Sequence, residues 1–300
     1  MSPRRRKKPK RIGIWGNTEK PRFWELLPEI FHWAETKQLE VYLTLRIIDR
    51  LNANHSYSYK VIESAEDFYK LDFLLTLGGD GTMLSAARAV AYRKTPILGI
   101  HLGELGFLAE VTVEDMYHRL NMVAEGHYFL QHRMVLKCEV YNGKKQKVFY
   151  ALNDFVVDRG KSNRMLTMRL LANDRFVADY KADGLIIATP TGSTAYSLAS
   201  GGPIVMPCLS AIVVTPICSH TLTLRPIVLS DDRSLEIQFP SVDGEGNTLA
   251  ADGQISEFLH RDSKVFIQKA GYEIYMIDFE DSNYFQTLRR KLNWGRRGDN

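Results

Sequence analysis

The apolar pattern of the first part of this chain alternates between two periods. Arg11–Trp15, Leu39–Leu45, Phe73–Leu77 and Ile97–His101 are short runs dominated by apolar residues. Unbroken runs of this length, rather than strict alternation, mark strands buried on both faces. Between them Phe23–Thr36, Thr82–Tyr92 and Val113–Glu125 carry apolar residues at helical spacing, and Asn52–Tyr59 reads as a polar loop. Strands separated by helices predict a parallel sheet covered on both faces, with ligands at the carboxyl ends of its strands.

From about Tyr128 the rhythm changes. His132–Tyr141 and Lys147–Asp158 flank Asn142-Gly143, and Met165–Ala172 and Arg175–Tyr180 flank Asn173-Asp174. Both dipeptides suit tight hairpin turns. Further strand-like runs at Leu185–Ala188, Ala211–Thr215, Ser234–Phe239 and Lys264–Gln268 predict a mostly β domain of two packed sheets. Asp281-Ser282-Asn283 can cap a last helix running to Asn293, with Tyr284, Phe285, Leu288 and Leu292 apolar. Chain economy expects that helix to return to the first domain. The expected division is a basic tail at 1–10, an α/β domain at 11–126 with 276–300, and a β-rich domain at 127–275.

Composition narrows the class. At 300 residues, 45% hydrophobic and 25% charged, the chain can bury one or two cores without disulfides. Cys138, Cys208 and Cys218 are odd in number and lack Cys-x-x-Cys spacing, which points to a reducing, cytoplasmic setting and away from a zinc cluster. The longest apolar stretch, Ala211–Leu229, is interrupted by Pro216, His220, Arg225 and Pro226, so no membrane span is expected. The basic start has no apolar core behind it and is not a secretory signal. The net charge of +4 is a property of the ends: Arg4, Arg5, Arg6, Lys7, Lys8, Lys10 and Arg11 are basic, and the rest of the chain is net acidic. Arg289, Arg290, Lys291, Arg296 and Arg297 form a second basic cluster. Such an arm can bind nucleic acid. No stacking aromatics interleave it, so a solvated tail is expected instead.

The candidate chemistry begins at Gly78-Gly79-Asp80-Gly81-Thr82, where the apolar run Phe73–Leu77 meets the next helix. Glycines at a strand-to-helix corner let the backbone approach a ligand, and N–H groups at the positive helix end suit phosphate. An ordinary loop is the bland alternative, since Gly and Asp are common turn formers. Asp80 is the odd member, because a carboxylate repels a phosphate unless it has a job. Two jobs fit: holding a divalent cation, or taking a proton from an attacking hydroxyl. No Gly-Lys-Ser/Thr follows, so this is not a Walker loop, and the dinucleotide fingerprint is absent.

A second segment runs from Lys181 to Ser197. Asp183-Gly184 precedes an apolar strand, and Thr191, Ser193, Thr194, Tyr196 and Ser197 cluster after it around Gly192. The bland reading is a helix N-cap supplied by Thr191 or Ser193. The density of hydroxyls also suits sugar and phosphate oxygens. Asn153-Asp154, poor strand residues inside a strand-like run, and Asp252-Gly253-Gln254 are similar patches. Such a residue pair is there for a turn, a bulge or a ligand, and a carboxylate so placed can bind a ribose diol.

Together Gly78–Thr82, Leu105-Gly106-Phe107-Leu108, Asn153-Asp154, Asp183–Ser197, Gly201-Gly202-Pro203 and Asp252-Gly253-Gln254 resemble the NAD kinase family over nearly the whole chain. The resemblance implies an α/β domain plus a β-sandwich-like domain, with the C-terminal segment returning to the first. It implies phosphoryl transfer from ATP to the 2′-hydroxyl of the adenosine ribose of NAD, with a divalent cation, magnesium, and with inorganic polyphosphate as a donor in many bacterial members. Asp80 corresponds to the catalytic proton acceptor, with Gly78, Gly79, Gly81, Thr82 and Phe107 at the nucleotide. Asn153 and Asp154 correspond to the pair that binds NAD through its adenylate half, and Asp183 to the acid near the nicotinamide, with Lys181 and Arg164 as cationic contacts. Thr194, Ala195, Tyr196, Ser197, Leu198 and Ala199 correspond to the loop around adenine and ribose, and Gln254 to a residue that closes the pocket, in some members from a neighbouring subunit. The family suggests small-molecule nucleotide partners and a homodimer or homotetramer.

Three positions depart from the family pattern: His101 for Asn, Ser219 for Pro before His220, and Ala199-Ser200 for Ser-Ala. They bear on fine specificity. His32 and His55 read as surface or helix-face residues rather than ligands. The Gly-Gly-Asp-Gly-Thr motif alone also fits a diacylglycerol- or sphingosine-type lipid kinase, against which Asn153-Asp154 and the Lys181–Ser197 segment argue. A nucleotide sensor without catalysis would gain nothing from Asp80.

Overall fold

The computed structural model describes residues 6–51, 57–162, 164–221, 223–240, 246–260 and 262–295; Arg4, Arg5, His55, Arg296 and Arg297, and residues 52–56 of the expected polar loop, lie outside the described residues. The chain divides into two units, residues 1–132 with 274–300, and residues 133–273.

In the first unit β1 (Arg11–Gly16), β2 (Glu40–Thr44), β3 (Lys60–Ile62), β4 (Phe73–Gly78) and β5 (Ile97–His101) form a parallel sheet in the order β5-β4-β1-β2-β3. Every residue of β4 is buried, as its unbroken apolar run requires. Helices α1 (Pro21–Thr36) and α4 (Met116–Glu125) cover one face, where Phe23, Leu27, Ile30, Leu120 and Val123 join Ile12, Ile14, Leu75, Leu77 and Ile100 in one core. Helix α3 (Asp80–Val90) covers the other: a Cβ on Gly99 would lie 2.7 Å from Met83 Sδ. Gly99 sits between Leu98 and Ile100, which face the first core, so alternation puts Met83 opposite.

Three boundaries differ from the apolar pattern. Helix α3 starts at Asp80 rather than Thr82, because a carboxylate in the first turn complements the helix dipole. Helix α4 starts at Met116 rather than Val113. The run Leu39–Leu45 yields only β2, after which Leu45–Ile48 turns as the short helix α2, and β3 follows in a stretch without an apolar run. The last helix, α6 (Tyr284–Leu292), belongs to this unit, capped as expected by the Asn283 carboxamide, which accepts the Phe285 N–H at 3.0 Å. Before it, Asp281 accepts both Arg119 Nη1 and Nη2, at 2.6 and 2.8 Å, and so ties the returning segment to α4.

The long strands β6 (Phe129–Asn142) and β17 (Lys264–Asp278) run from one unit into the other. β17 therefore extends well past Gln268, pairing with β5 through Met276. The second unit adds β7 (Lys145–Ala151), β8 (Asp154–Asp158), β9 (Leu166–Ala172), β10 (Arg175–Ala182), β11 (Gly184–Ala188), β12 (Ala211–Ile217), β13 (Ile227–Ser230), β14 (Leu235–Gln238), β15 (Asn247–Ala251) and β16 (Ile255–Leu259), with the short α5 (Tyr196–Ala199). One antiparallel sheet contains β10-β9-β14-β17, with β6 beside β17 and β7 beside β6; the other runs β13-β12-β11-β8-β15-β16. Leu136, Met168, Leu170 and Ile237 of the first meet Phe155, Val157, Leu185, Ile187 and Val214 of the second in one apolar core, which is the packed pair of sheets the pattern predicts.

The Asn173-Asp174 turn forms with both residues at positive φ, 48° and 60°. The other hairpin shifts by one: Asn142 pairs with Lys145, and Gly143, at φ 60°, takes the first turn position. Lys147–Asp158 is not one strand. It breaks at Leu152-Asn153, leaving β7 in one sheet and β8 in the other. No helix among the described residues is long and apolar enough to cross a membrane.

Candidate active site

At the carboxyl end of β4, Gly79 is the N-cap of α3 and Asp80 its first residue. Gly78 is required to be small, since a Cβ there would stand 2.2 Å from Thr82 Oγ1; Gly79 faces open space. Asp80 turns its carboxylate to the loop after β5. Its Oδ2 accepts the Phe107 N–H at 2.9 Å, and its Oδ1 accepts those of Leu108 and Ala109 at 3.0 and 3.3 Å. A Cβ on Gly106 would fall 1.9 Å from Oδ1, so only glycine lets this backbone close over the carboxylate. With two donors, Oδ1 is saturated; Oδ2 keeps a free lone pair. Lys291 of α6 places its ammonium 5.4 Å from the Phe107 ring centroid, within cation–π range. His101 is buried at the end of β5, where its Nδ1 donates to Gly103 O at 2.8 Å.

In the second unit the Asn153-Asp154 patch is the point where the chain changes sheets. The Asp252 carboxylate, in the β15–β16 turn, accepts the N–H groups of Leu152, Asn153 and Asp154 at 3.1, 2.7 and 3.2 Å. Those three donors have left one ladder without entering the next, and one carboxylate satisfies them. Asp252 itself is at φ 50° and Gly253 at φ 61°. Asp154 is only 4% exposed, and burial, with Asp252 as a like charge, pushes its carboxyl up to about 7.

The hydroxyl-rich segment lies against the same patch. Thr189 donates its N–H to Asn153 O at 2.8 Å and its Oγ1 to Leu152 O at 2.6 Å. A Cβ on Gly192 would meet Asn153 O at 2.1 Å. Neither Thr191 nor Ser193 caps a helix: Thr191–Thr194 is a 3₁₀ turn, and its Gly192 N–H goes to Thr189 Oγ1 at 3.1 Å. Ser193 instead donates to Pro190 O and accepts the Val205 N–H. Helix α5 is a single turn, and the Ser197 hydroxyl is engaged with Thr215 Oγ1 at 2.8 Å, both side chains buried. Thr194 and Ala195 are half-buried; Tyr196 and Ala199 stand exposed at the rim, with Leu198 between.

At the far end of β11, Asp183 is paired with Arg159, Nε to Oδ1 at 3.2 Å. Lys181 and Arg164 are both exposed, and so is Gln254 on the β15–β16 turn. Arg159 is the cation that the sequence does not signal, because it sits in a loop without helical or strand spacing. Thr189 lies inside the Lys181–Ser197 segment and Asp252 opens the Asp252-Gly253-Gln254 patch, but the sequence signals the structural role of neither. No cluster of three or more His, Cys, Asp or Glu side chains able to hold a metal occurs among the described residues. Magnesium carried by phosphates keeps several waters and needs only one or two carboxylates. The residues present therefore fit a cation delivered on a triphosphate and held through its phosphates and waters, rather than a protein cage.

A family model of the ATP-NAD kinase N-terminal domain matches residues 12–128, and one of the ATP-NAD kinase C-terminal domain matches residues 152–279. The chain is 39% identical to an NAD kinase of Syntrophotalea carbinolica over 290 residues, 96% of this chain and 100% of the relative. It is 37% identical to an NAD kinase of Geotalea daltonii over 289 residues, with the same coverage. An NAD kinase from Archaeoglobus fulgidus, solved with ATP, superposes with TM-score 0.74 at 25% identity, covering 94% of this chain and 98% of that one. Yeast NADH kinase with NADH superposes with TM-score 0.89 at 24% identity, over 97% and 89%. The last likeness speaks to the fold alone.

Proposed function

Because the chain belongs to the NAD kinase family, we infer that it phosphorylates the 2′-hydroxyl of the adenosine ribose of NAD with ATP, giving NADP. The observation that carries this reading is the family match over both units, with a carboxylate seated in the glycine corner at the end of β4.

In this reading Asp80 is the base. A secondary ribose hydroxyl is a weak nucleophile, so a carboxylate within hydrogen-bond reach is needed to take its proton. The proton goes to Oδ2, the oxygen with a free lone pair, as the ribose oxygen forms its bond to the γ-phosphorus. The bond from phosphorus to the β–γ bridging oxygen breaks and ADP departs. The N–H groups at the start of α3, with Gly78, Gly79, Gly81 and Thr82, meet the phosphates, and Phe107 borders them. A divalent cation, magnesium, supplies charge neutralisation on the phosphates when bound.

Asn153 and Asp154 hold the adenylate half of NAD, supported by the fixed backbone that Asp252 and Thr189 create around them. Thr194–Ala199 border adenine and ribose, with Ser197 contributing backbone because its hydroxyl is engaged. Asp183, steadied by Arg159, lies on the nicotinamide side with Lys181 and Arg164, and Gln254 closes the pocket. Residues 11–126 with 276–300 thus serve the donor, and 127–275 serve NAD and assembly into a homodimer or homotetramer. Three free cysteines, Cys138, Cys208 and Cys218, support a cytoplasmic setting.

The test is a coupled assay of NADP formation from NAD, ATP and magnesium, read by an NADP-specific dehydrogenase. Product that vanishes in Asp80→Asn supports the reading. A folded sample that makes none, with ATP or polyphosphate, would overturn it.

A further inference from the structure

The loop between β1 and α1, Asn17-Thr18-Glu19-Lys20, lies at the carboxyl edge of the parallel sheet, where the Asn17 N–H donates to Leu77 O at 2.9 Å. Its first three polar side chains are engaged locally. Asn17 Oδ1 accepts the Glu19 N–H at 3.1 Å, and Thr18 Oγ1 accepts Arg46 Nε and Arg50 Nη1, each at 3.2 Å. Glu19 pairs with Arg50 at 2.6 Å. Lys20 differs. It is half-buried, yet among the described residues its ammonium has neither a hydrogen bond nor a carboxylate partner.

That ammonium lies over the loop after β5: a Cβ on Gly103 would be 3.1 Å from Lys20 Nζ. Gly103 follows Leu102, whose N–H donates to Gly78 O at 3.1 Å, so Lys20 stands one residue from the Gly78-Gly79-Asp80-Gly81 corner. A second polar group there also lacks a partner. Gly103 O can only accept, which fixes a proton on His101 Nδ1 and leaves Nε2 buried and unbonded. Gly79, the N-cap of α3, faces open space.

A lysine normally carries its ammonium out to water or to an acid. One held partly buried over glycine, beside the positive end of α3, raises the local potential in a place that already disfavours cations. An anion placed there would complete the arrangement. We propose that Lys20 binds the phosphate chain of the phosphoryl donor, an inference that rests on the NAD kinase reading of the same corner. Its compact charge suits a polyanion whose oxygens shift during transfer, where a planar guanidinium would demand one fixed geometry. The same chemistry would take the triphosphate of a nucleotide or an inorganic polyphosphate.

The test compares Lys20→Met, which keeps the stem and removes the charge, with Lys20→Arg, in steady-state kinetics with ATP and with polyphosphate. Lys20→Met raises KM for the donor about tenfold, as loss of one charge-assisted contact implies, while KM for NAD stays within about twofold. Lys20→Arg retains most of the donor affinity. An effect with ATP alone identifies the nucleotide triphosphate as the ligand, and an effect with both donors identifies the phosphate chain. Unchanged donor constants, or a rise confined to NAD, would overturn the proposal. Calorimetric titration of ATP into both variants covers the case of lost turnover. If the wild-type protein binds ATP through Lys20 but forms no NADP, the kinase reading fails and this one stands.

Discussion

The carboxylate of Asp80 and the backbone of Phe107 are joined by a 2.9 Å hydrogen bond, and the same loop supplies two more donors to the other oxygen. The carboxylate proposed as the base and the loop proposed to border the nucleotide are therefore one mechanical unit. Asp80→Asn replaces an acceptor with an amide whose NH₂ faces N–H donors, so it removes the base and unfastens the loop together. Turnover is expected to fall by ~10²-fold or more in that variant, measured as kcat at saturating NAD and ATP.

Gly106→Ala separates these two consequences. Its Cβ would stand 1.9 Å from Asp80 Oδ1, and the carboxylate must swing away or the loop must lift. Either leaves the base chemically intact but misplaced, and an error of about 1 Å costs ~10²-fold. The expected result is a fall in kcat with KM for NAD nearly constant and the protein still folded by circular dichroism. Wild-type kcat in Gly106→Ala would show that the carboxylate position is not set by this loop.

The strand ending at Gly78 and the corner after it were legible because local residues decide them: an unbroken apolar run, three glycines and an acid in the first helical turn. The break at Leu152-Asn153 was legible only as an oddity, two poor strand residues in a strand-like run. Its cause is Asp252, roughly a hundred residues away in sequence, and no local pattern announces a carboxylate that will cap three distant N–H groups. The N-cap expected of Thr191 or Ser193 does not form for a related reason: Pro190 holds the cap position, and Thr189 accepts the Gly192 N–H instead. Packing of Gly192 onto Asn153 O tightens the segment into a 3₁₀ turn, and the hydroxyl then best placed lies three residues before Gly192. Hydroxyl density located the region; tertiary contact chose the residue.

Thr189 carries a corresponding prediction. Thr189→Val conserves shape but leaves Leu152 O and the Gly192 N–H without their shared hydroxyl. Two buried groups lose a partner, which costs ~1–3 kcal/mol of stability by urea denaturation. KM for NAD should rise as the Asn153 backbone loosens, with KM for ATP little altered.

Asp154 should make NAD binding depend on pH. Its carboxyl is moved from 3.8 to about 7 by burial and by Asp252. Between those values the folded chain holds a proton that the unfolded chain has released, so stability falls as pH rises across that window. The contribution is complete below the unfolded value and is lost as pH passes about 7. A ribose diol donates best to the ionised form, so NAD affinity should run the other way, rising about tenfold from pH 6 to pH 8 with proton release. Calorimetry in buffers of different ionisation enthalpy measures both, and Asp154→Asn should abolish the pH dependence. A flat profile in the wild-type protein would remove the Asp154 carboxyl from NAD binding or show it already ionised at pH 6.

Arg159 provides the sharpest separation of stability from binding. Its ion pair with Asp183 is about one-third exposed on both sides, 35% and 34%, so solvent screens it and its removal should cost less than ~1 kcal/mol. If Asp183 meets NAD as proposed, the contribution of Arg159 is orientation. Without Arg159 the Asp183 side chain is free to rotate toward water, and a contact to the nicotinamide half of NAD must then pay to order it. Arg159→Ala should therefore raise KM for NAD several-fold, close to the effect of Asp183→Ala, while the thermal midpoint hardly moves. The double variant should be no worse than either single one, because both remove the same contact. Additive losses would assign Arg159 a separate contact with the substrate, and an unchanged KM in all three would detach Asp183 from NAD altogether.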